Sequence, residues 1–345
     1  MKIVITNKSI KPKFILQDLN HKNIKEIELT EYETNIDLDL DKFKFAYFKY
    51  KNKKTENIIL SSNLNTLTFS YNRKRHLYDV SIYSDKKYGK IINELSTDDV
   101  FKYRKNKMTT YYFSNNFQNK DVHLIIFFDI QNVFNLKNVG NYTKKNDPYK
   151  GWQVEVPIEE SGKNFIVFGI ENADKFRTSE LTPRVSNDNL KDIKEKILPI
   201  IDLDKIGTFI IKKVNELKEK YDIKDIGIAG ASMGGLASYY LGLKYGDIFN
   251  YIFTFSPAIG FIKDSWWKEL YKKSNLANKK IFYYMGGGDS LEKRLTFECQ
   301  NVISLLIEAG FDKNNYYSYV NKSLKHNEIS WRYAFNYAFN EFYNK

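Results

Sequence analysis

The stretch "GIAGASMGGLASYYLGL", residues 227–243, decides the fold. It opens as an apolar run, turns through the small residues Gly230, Ala231, Ser232, Gly234 and Gly235, and continues as an alanine- and leucine-bearing amphipathic segment. Small residues at such a junction have two readings. One is close packing of a helix on a strand. The other is a G-x-S-x-G elbow, a sharp strand-to-helix turn that exposes a serine at the carboxyl edge of a sheet. The strand before and the helix after supply the context that the second reading requires. The glycines permit the tight turn, and the N–H of Met233, at the start of the helix, can point at a developing oxyanion.

Working outward, continuous apolar runs recur at 122–129 ("VHLIIFFD"), 164–171 ("NFIVFGIE"), 225–230, 250–256 ("NYIFTFS"), 280–286 ("KIFYYMG") and 316–320 ("YYSYV"). Helical stretches such as "KIGTFIIKKVNELKEKY", "LTFECQNVISLLIEAG" and "ISWRYAFNYAFNEFY" lie between or after them. Buried-type strands alternating with helices predict a mostly parallel sheet covered on both faces. Residues 1–88 have another rhythm: "KIVITN", "KFILQDL", "KEIELTEY", "NIDLDL", "FKFAYFKY", "NIILSS", "TLTFSYN" and "YDVSIYS" read as short, often alternating strands. They predict a small antiparallel sandwich, with "FAYFKY" in its core. The polar stretch 84–99 marks the boundary. The division is then a β-sandwich over 1–88 and an α/β domain over 89–345, the latter including the strand-like "VFKYRKNKMTTYYFS".

A serine nucleophile needs a base, and in an elbow-bearing fold the chain order is Ser, acid, His. Of the four histidines, His21, His76 and His123 precede Ser232, so His326, in a loop after the last strand, is the candidate base. The acid should follow a strand between the two. "KIFYYMGGGDS" offers Asp289 behind three glycines, with Glu292 next in order and Asp312 third. A base needs such a partner to fix its tautomer.

Composition narrows the remaining classes. With 42% hydrophobic and 16% aromatic residues, the chain has ample material for cores. The net charge of +12 comes from dispersed basic residues, which argues against a nucleic-acid partner. The densest basic patch, "YNRKRHLY" (71–78), reads as a hairpin turn. One cysteine, Cys299, excludes an intrachain disulfide and a cysteine zinc site. The opening "MKIVITNKSIKPKFIL" lacks a signal-type apolar core, and no apolar run is long enough to cross a bilayer. A soluble, cytoplasmic protein without metal or cofactor is expected.

Six ordered motifs carry a family resemblance. They are Asp129-Ile130-Gln131-Asn132 with Phe134, Trp152, "FRTSELTP" (Arg177, Glu180, Pro183), the elbow "GASMGG", Ser256-Pro257, and the tail "KHNEISWR". From about residue 120 onward the chain resembles the putative-esterase branch of the α/β-hydrolases. That branch includes enterochelin, feruloyl and acetylxylan esterases, S-formylglutathione hydrolases and mycolyltransferases. The resemblance implies a Ser232–Asp289–His326 triad, a second oxyanion donor in the Gln131 N–H, and Asp129, Trp152 and Arg177 near the substrate. It further implies an Arg177–Glu180 ion pair, with Arg177 open to an anionic substrate, and leaves Trp152, Trp266 and Trp267 as pocket walls or core alike. Ile130 stands where the family usually has glycine. A β-branched residue resists positive φ, so a reshaped oxyanion loop is expected there, one that Ile130→Gly would relax. The N-terminal sandwich resembles immunoglobulin-like or carbohydrate-binding modules. The expected activity is hydrolysis of a small-molecule or glycan ester through an acyl-enzyme. The alternatives are acyl transfer to a sugar or other alcohol, and a non-catalytic binding role.

Overall fold

The computed structural model describes residues 1–5, 10–18, 22–31, 33–39, 42–43, 45–51, 53–55, 58–59, 66–72, 77–83, 88–104, 108–134, 151–191, 202–277, 279–322 and 324–344. The chain divides into two compact units, Met1–Lys87 with Phe339–Tyr343, and Tyr88–Ala338.

Among the described residues, the first unit holds nine short strands: β1 (Lys2–Ile5), β2 (Lys13–Gln17), β3 (Asn23–Glu28), β4 (Glu33–Asn35), β5 (Phe45–Tyr50), β6 (Lys53–Lys54), β7 (Ile58–Ile59), β8 (Thr66–Asn72) and β9 (Leu77–Tyr83). They form two sheets, ordered β4-β1-β8-β9 and β3-β2-β5-β6, with β7 also on β5. Alternation supplies the inner faces: Ile3 and Ile5, Leu67 and Phe69, and Phe14 and Leu16 are all buried. Phe48 meets Phe14 at 4.9 Å and Phe69, on the opposite sheet, at 4.8 Å, so the sheets pack face to face as a sandwich. Tyr47 and Phe48 of "FAYFKY" are therefore core residues. Two details differ from expectation. β1 runs parallel to β8, because a terminal strand joined to no hairpin is free to enter in either direction. "NIDLDL" forms no strand over 36–39. The turn expected within 71–78 falls at 73–76, outside the described residues, between the antiparallel β8 and β9.

The second unit is built on an eight-stranded sheet. Its strands are β10 (Lys90–Leu95), β11 (Met108–Phe113), β12 (Val122–Phe128), β13 (Phe165–Ile170), β14 (Ile223–Ala231), β15 (Tyr251–Phe255), β16 (Lys280–Met285) and β17 (Tyr316–Val320). The order is β10-β11-β13-β12-β14-β15-β16-β17. The pairs β10–β11 and β11–β13 are antiparallel, and all the others are parallel. The six apolar runs read from the sequence are its parallel strands, and β12 and β13 are buried along their whole length. β10 lies inside the polar stretch taken as a boundary. It is an edge strand, mostly exposed and, among the described residues, paired only with β11, so its sequence carries no apolar run.

The helices are α1 (Glu155–Ser161), α2 (Arg177–Glu180), α3 (Leu203–Lys220), α4 (Met233–Lys244), α5 (Asp264–Lys273), α6 (Ser290–Glu308) and α7 (Glu328–Tyr343). α3 shows the local logic. Asp202 caps it by accepting from the Asp204 N–H, Leu203, Ile206, Phe209, Ile210, Val214 and Leu217 form its buried stripe, and Lys218 and Lys220 close its carboxyl end. Because β12, β14 and β16 run in the same direction, their carboxyl ends lie at one edge of the sheet, where ligand sites of such sheets form. None of the described helices is long and apolar enough to cross a membrane.

Candidate active site

Ser232 ends β14 and caps α4 with φ 57° and ψ −120°, a conformation that costs a non-glycine residue about 1–3 kcal/mol. The surroundings hold it there. Its N–H donates to the Phe255 carbonyl at 2.9 Å, and its carbonyl accepts from the N–H groups of Leu236 and Ala258, both at 3.0 Å. Gly230 makes the crossing possible, since a Cβ there would lie 2.4 Å from the Gly234 carbonyl oxygen. The Ser232 hydroxyl is not spent on capping α4. Met233 is the first residue of that helix, where N–H groups have no partner within the helix.

Ser232 and His326 line one cleft of about 260 Å³ with Phe128, Asp129, Asn132, Trp152, Arg177, Glu328 and Trp331. Two grooves of about 400 and 500 Å³ open beside α3, but neither brings a nucleophile to a histidine. His326 packs edge-on against Trp331, with ring centres 5.1 Å apart. The tail motif accounts for its own placement. Asn327 Oδ1 accepts from the Ser330 N–H and hydroxyl, both at 3.0 Å, and so starts α7. Trp331 Nε1 donates to Ser256 Oγ at 3.1 Å, and Arg332 Nη2 to the Gly151 carbonyl at 2.7 Å.

The carboxylate on the histidine ring is that of Glu292. Its Oε1 lies 2.8 Å from His326 Nδ1, its Oε2 accepts from the Gly286 N–H at 2.7 Å, and the side chain is fully buried. Asp289, the first candidate from the sequence, stands beside this pair and holds backbone. Its Oδ1 accepts from the Glu292 N–H and its Oδ2 from the His326 N–H, each at 2.9 Å. Burial pushes the Asp289 carboxyl up, but those two N–H groups and the His326 ring outweigh it and hold the carboxyl below its ordinary range. Asp312 caps a short turn ahead of β17 through the Asn314 N–H. One sequence signal separates the two leading acids. Asp289-x-x-Glu292 has the N-cap-to-N3 spacing of a helix start, which makes the aspartate the cap.

On the other side of the cleft, Asp129 takes φ 55° and ψ 43°, and the turn Ile130–Asn132 follows it. The positive φ thus falls one residue before Ile130. Ile130 is helical and fully buried, and its side chain fills the space over Gly169, where a Cβ would meet it at 2.6 Å. Isoleucine is accommodated in this loop as a packing residue, without the backbone conflict expected of it. Gln131 is buried, and its Oε1 accepts from the Asn172 N–H at 3.2 Å.

Arg177 grips Asp129 with two bonds, Nε to Oδ1 at 2.9 Å and Nη2 to Oδ2 at 2.6 Å. The expected Arg177–Glu180 pair does not form. α2 turns Glu180 inward to Tyr103 and to Arg104 Nε at 2.7 Å, whereas Arg177 faces the cleft. Burial raises the Glu180 carboxyl against the opposing pull of Arg104. Trp152 is both core and floor: it is buried against Phe127, Phe255 and Trp331 while lining the cleft. Trp266 and Trp267 lie elsewhere, with Trp267 fully buried and bonded to the Ile259 carbonyl at 3.0 Å. Among the described residues, no group of three or more His, Cys, Asp and Glu side chains is arranged to hold a metal ion.

Residues 205–340, which contain Ser232, Glu292 and His326, match the sequence model of the family described as "Putative esterase". No curated protein matches the chain. Among solved structures, the ferric enterobactin esterase from Salmonella typhimurium is similar over 97% of this chain and 90% of its own, at 10% identity and a TM-score of 0.52. The siderophore hydrolase EstA from Aspergillus nidulans covers 73% of this chain and 95% of its own, at 12% identity and a TM-score of 0.51. The enterobactin esterase FES from Shigella flexneri covers 97% and 89%, at 10% identity and a TM-score of 0.50. At such identities the likeness is one of fold. The larger unit of this chain thus has the α/β-hydrolase fold, and its residues 205–340 are similar to the putative-esterase family.

Proposed function

We propose that Ser232, His326 and Glu292 are the nucleophile, base and orienting acid of a serine esterase, with the N–H groups of Met233 and Gln131 as oxyanion donors. The observation that carries this reading is the buried Glu292 on His326 Nδ1, in the cleft that also receives Ser232 from its strained elbow. With Nδ1 protonated and donating to Glu292, Nε2 is left as the proton acceptor. His326 removes the Ser232 proton as the hydroxyl oxygen attacks the ester carbonyl. The two amides hold the negative oxygen of the tetrahedral intermediate, and the imidazolium returns its proton to the departing alcohol. Water then enters, gives a proton to His326 and attacks the acyl-enzyme. A second collapse releases the acid and restores the Ser232 hydroxyl. Asp289 serves as the clamp that joins the start of α6 to the His326 backbone.

For the substrate we propose a siderophore-type or carbohydrate-type ester with a compact, aromatic-compatible acyl group. Support comes from the cleft of about 260 Å³ walled by Phe128, Trp152 and Trp331. The folds shared with enterobactin and siderophore esterases point the same way. A fluorophosphonate probe should label Ser232, and Ser232→Ala should abolish both labelling and turnover across a panel of aryl, sugar-acetyl, feruloyl and catecholate esters. Labelling at another serine, or a merely modest loss of rate, refutes the assignment.

A further inference from the structure

Asp129 stands in an awkward place for an oxyanion-stabilising site. Its left-handed backbone, which aspartate tolerates better than most residues, turns the chain from β12 into the Ile130–Asn132 turn that carries Gln131. Its carboxylate lies over the first turn of α4, since a Cβ at Gly234 would be 3.1 Å from Oδ2. Gly234 follows Met233, the other proposed donor. A carboxylate with 11% of its side chain exposed, poorly screened by water, thus sits next to both donors, where the helix N-terminus attracts it as it would an oxyanion. Arg177 closes on this carboxylate through its Nε and Nη2.

We infer that Arg177 is a positioning residue that shields the oxyanion site from Asp129. It neutralises the Asp129 carboxylate, so that negative charge can develop on the substrate oxygen beside it. The inference rests on the catalytic reading above and deepens it: Arg177 acts on the transition state through Asp129, not by gripping an anionic substrate. A unit charge uncovered at roughly 8 Å, in surroundings of effective dielectric about 20, opposes the oxyanion by a factor of roughly thirty.

The test is a double-mutant cycle on a small neutral aryl ester, with thermal unfolding recorded for every variant. Arg177→Gln should lower kcat roughly thirtyfold and leave KM within about twofold. Adding Asp129→Asn to it should restore kcat to within about threefold of wild type, because the charge that Arg177 masked is gone. Arg177→Lys keeps the charge and loses the two-pronged geometry, and should retain most of the rate. A double variant as slow as Arg177→Gln overturns the shield, as does a loss in Arg177→Lys equal to that in Arg177→Gln. A rise in KM confined to anionic esters overturns it in favour of a substrate anchor. Fluorophosphonate labelling separates the two levels. If wild-type Ser232 is not labelled, the catalytic reading fails and the shield with it. If Ser232 is labelled and the rescue is absent, the shield alone fails.

Discussion

Replacing Glu292 by glutamine is the most telling perturbation of this site, because both carboxylate oxygens accept and glutamine offers only one acceptor. If the amide oxygen stayed on His326 Nδ1, the NH2 group would face the Gly286 N–H that now donates to Oε2 at 2.7 Å. Two donors would then meet in a fully buried position, at a cost of about 1–3 kcal/mol. Turned the other way, the amide oxygen accepts from Gly286 and the NH2 group donates to Nδ1. Every bond is satisfied, so this arrangement wins. It fixes the imidazole with its proton on Nε2, the tautomer that cannot accept a proton from Ser232. A fold-preserving loss of about four orders of magnitude in kcat is expected, as for other wrongly fixed triad histidines. Asparagine at 289 differs, because it keeps one acceptor and is itself a good N-cap. Only the His326 N–H bond is lost, at a partly exposed site, and roughly a tenfold fall is expected. The assay is kcat for a small aryl ester, with active sites counted by phosphonate titration and stability followed by thermal unfolding. A ranking in which Asp289→Asn is the crippled variant would refute this argument and make Asp289 the functional acid.

Ile130→Gly should not free the oxyanion loop. It should leave a cavity over Gly169 and cost about 3–5 kcal/mol, read as a melting temperature lowered by roughly 10 °C. Trp331→Phe deletes the Nε1 bond to Ser256 while keeping the ring against His326, so stability should drop by about 1 kcal/mol with kcat changed less than about threefold. Asp289 makes stability pH-dependent in a defined sense. Its folded-state pKa lies below the ordinary 3.8, so its contribution is complete above 3.8 and disappears as the pH falls through the lower folded value. The gap in urea midpoint between wild type and Asp289→Asn, followed from about pH 5 to about pH 2.5, should therefore narrow on acidification.

What the sequence made legible was whatever depends on near neighbours. The central parallel strands announce themselves because both faces are buried, and the elbow because strand, turn and helix are consecutive. β10 escaped notice because an edge strand needs no apolar run. Chain order singled out His326, and the fold brings it to the cleft that Ser232 lines. It did not single out the acid, because Asp289 and Glu292 are one helical turn apart and both point toward the histidine loop. The cap spacing assigns Asp289 to the helix start, but that Glu292 then meets the ring depends on how α6 docks, and that is a tertiary fact. The same holds for Arg177, whose i, i+3 partner Glu180 was the natural guess until the direction of α2 gave Glu180 to Arg104. The oxyanion loop was misjudged for a related reason: the strained dihedral had shifted to its neighbour Asp129.

The carboxylate on His326, that of Glu292, projects from the third residue of α6, not from the loop after β16. A loop absorbs insertions by bulging, but a helix converts each added or lost residue into a rotation of about 100°. Removing one residue between Asp289 and Glu292 would swing the carboxylate away from the histidine while leaving the helix intact. Sequence drift in this segment should therefore proceed by substitution, with length invariant from the cap to Glu292. The glycines ahead of it are free of that phase constraint. An enzyme of this design that moved its acid to the loop would gain tolerance of length there and lose the rigid rod that now aims it.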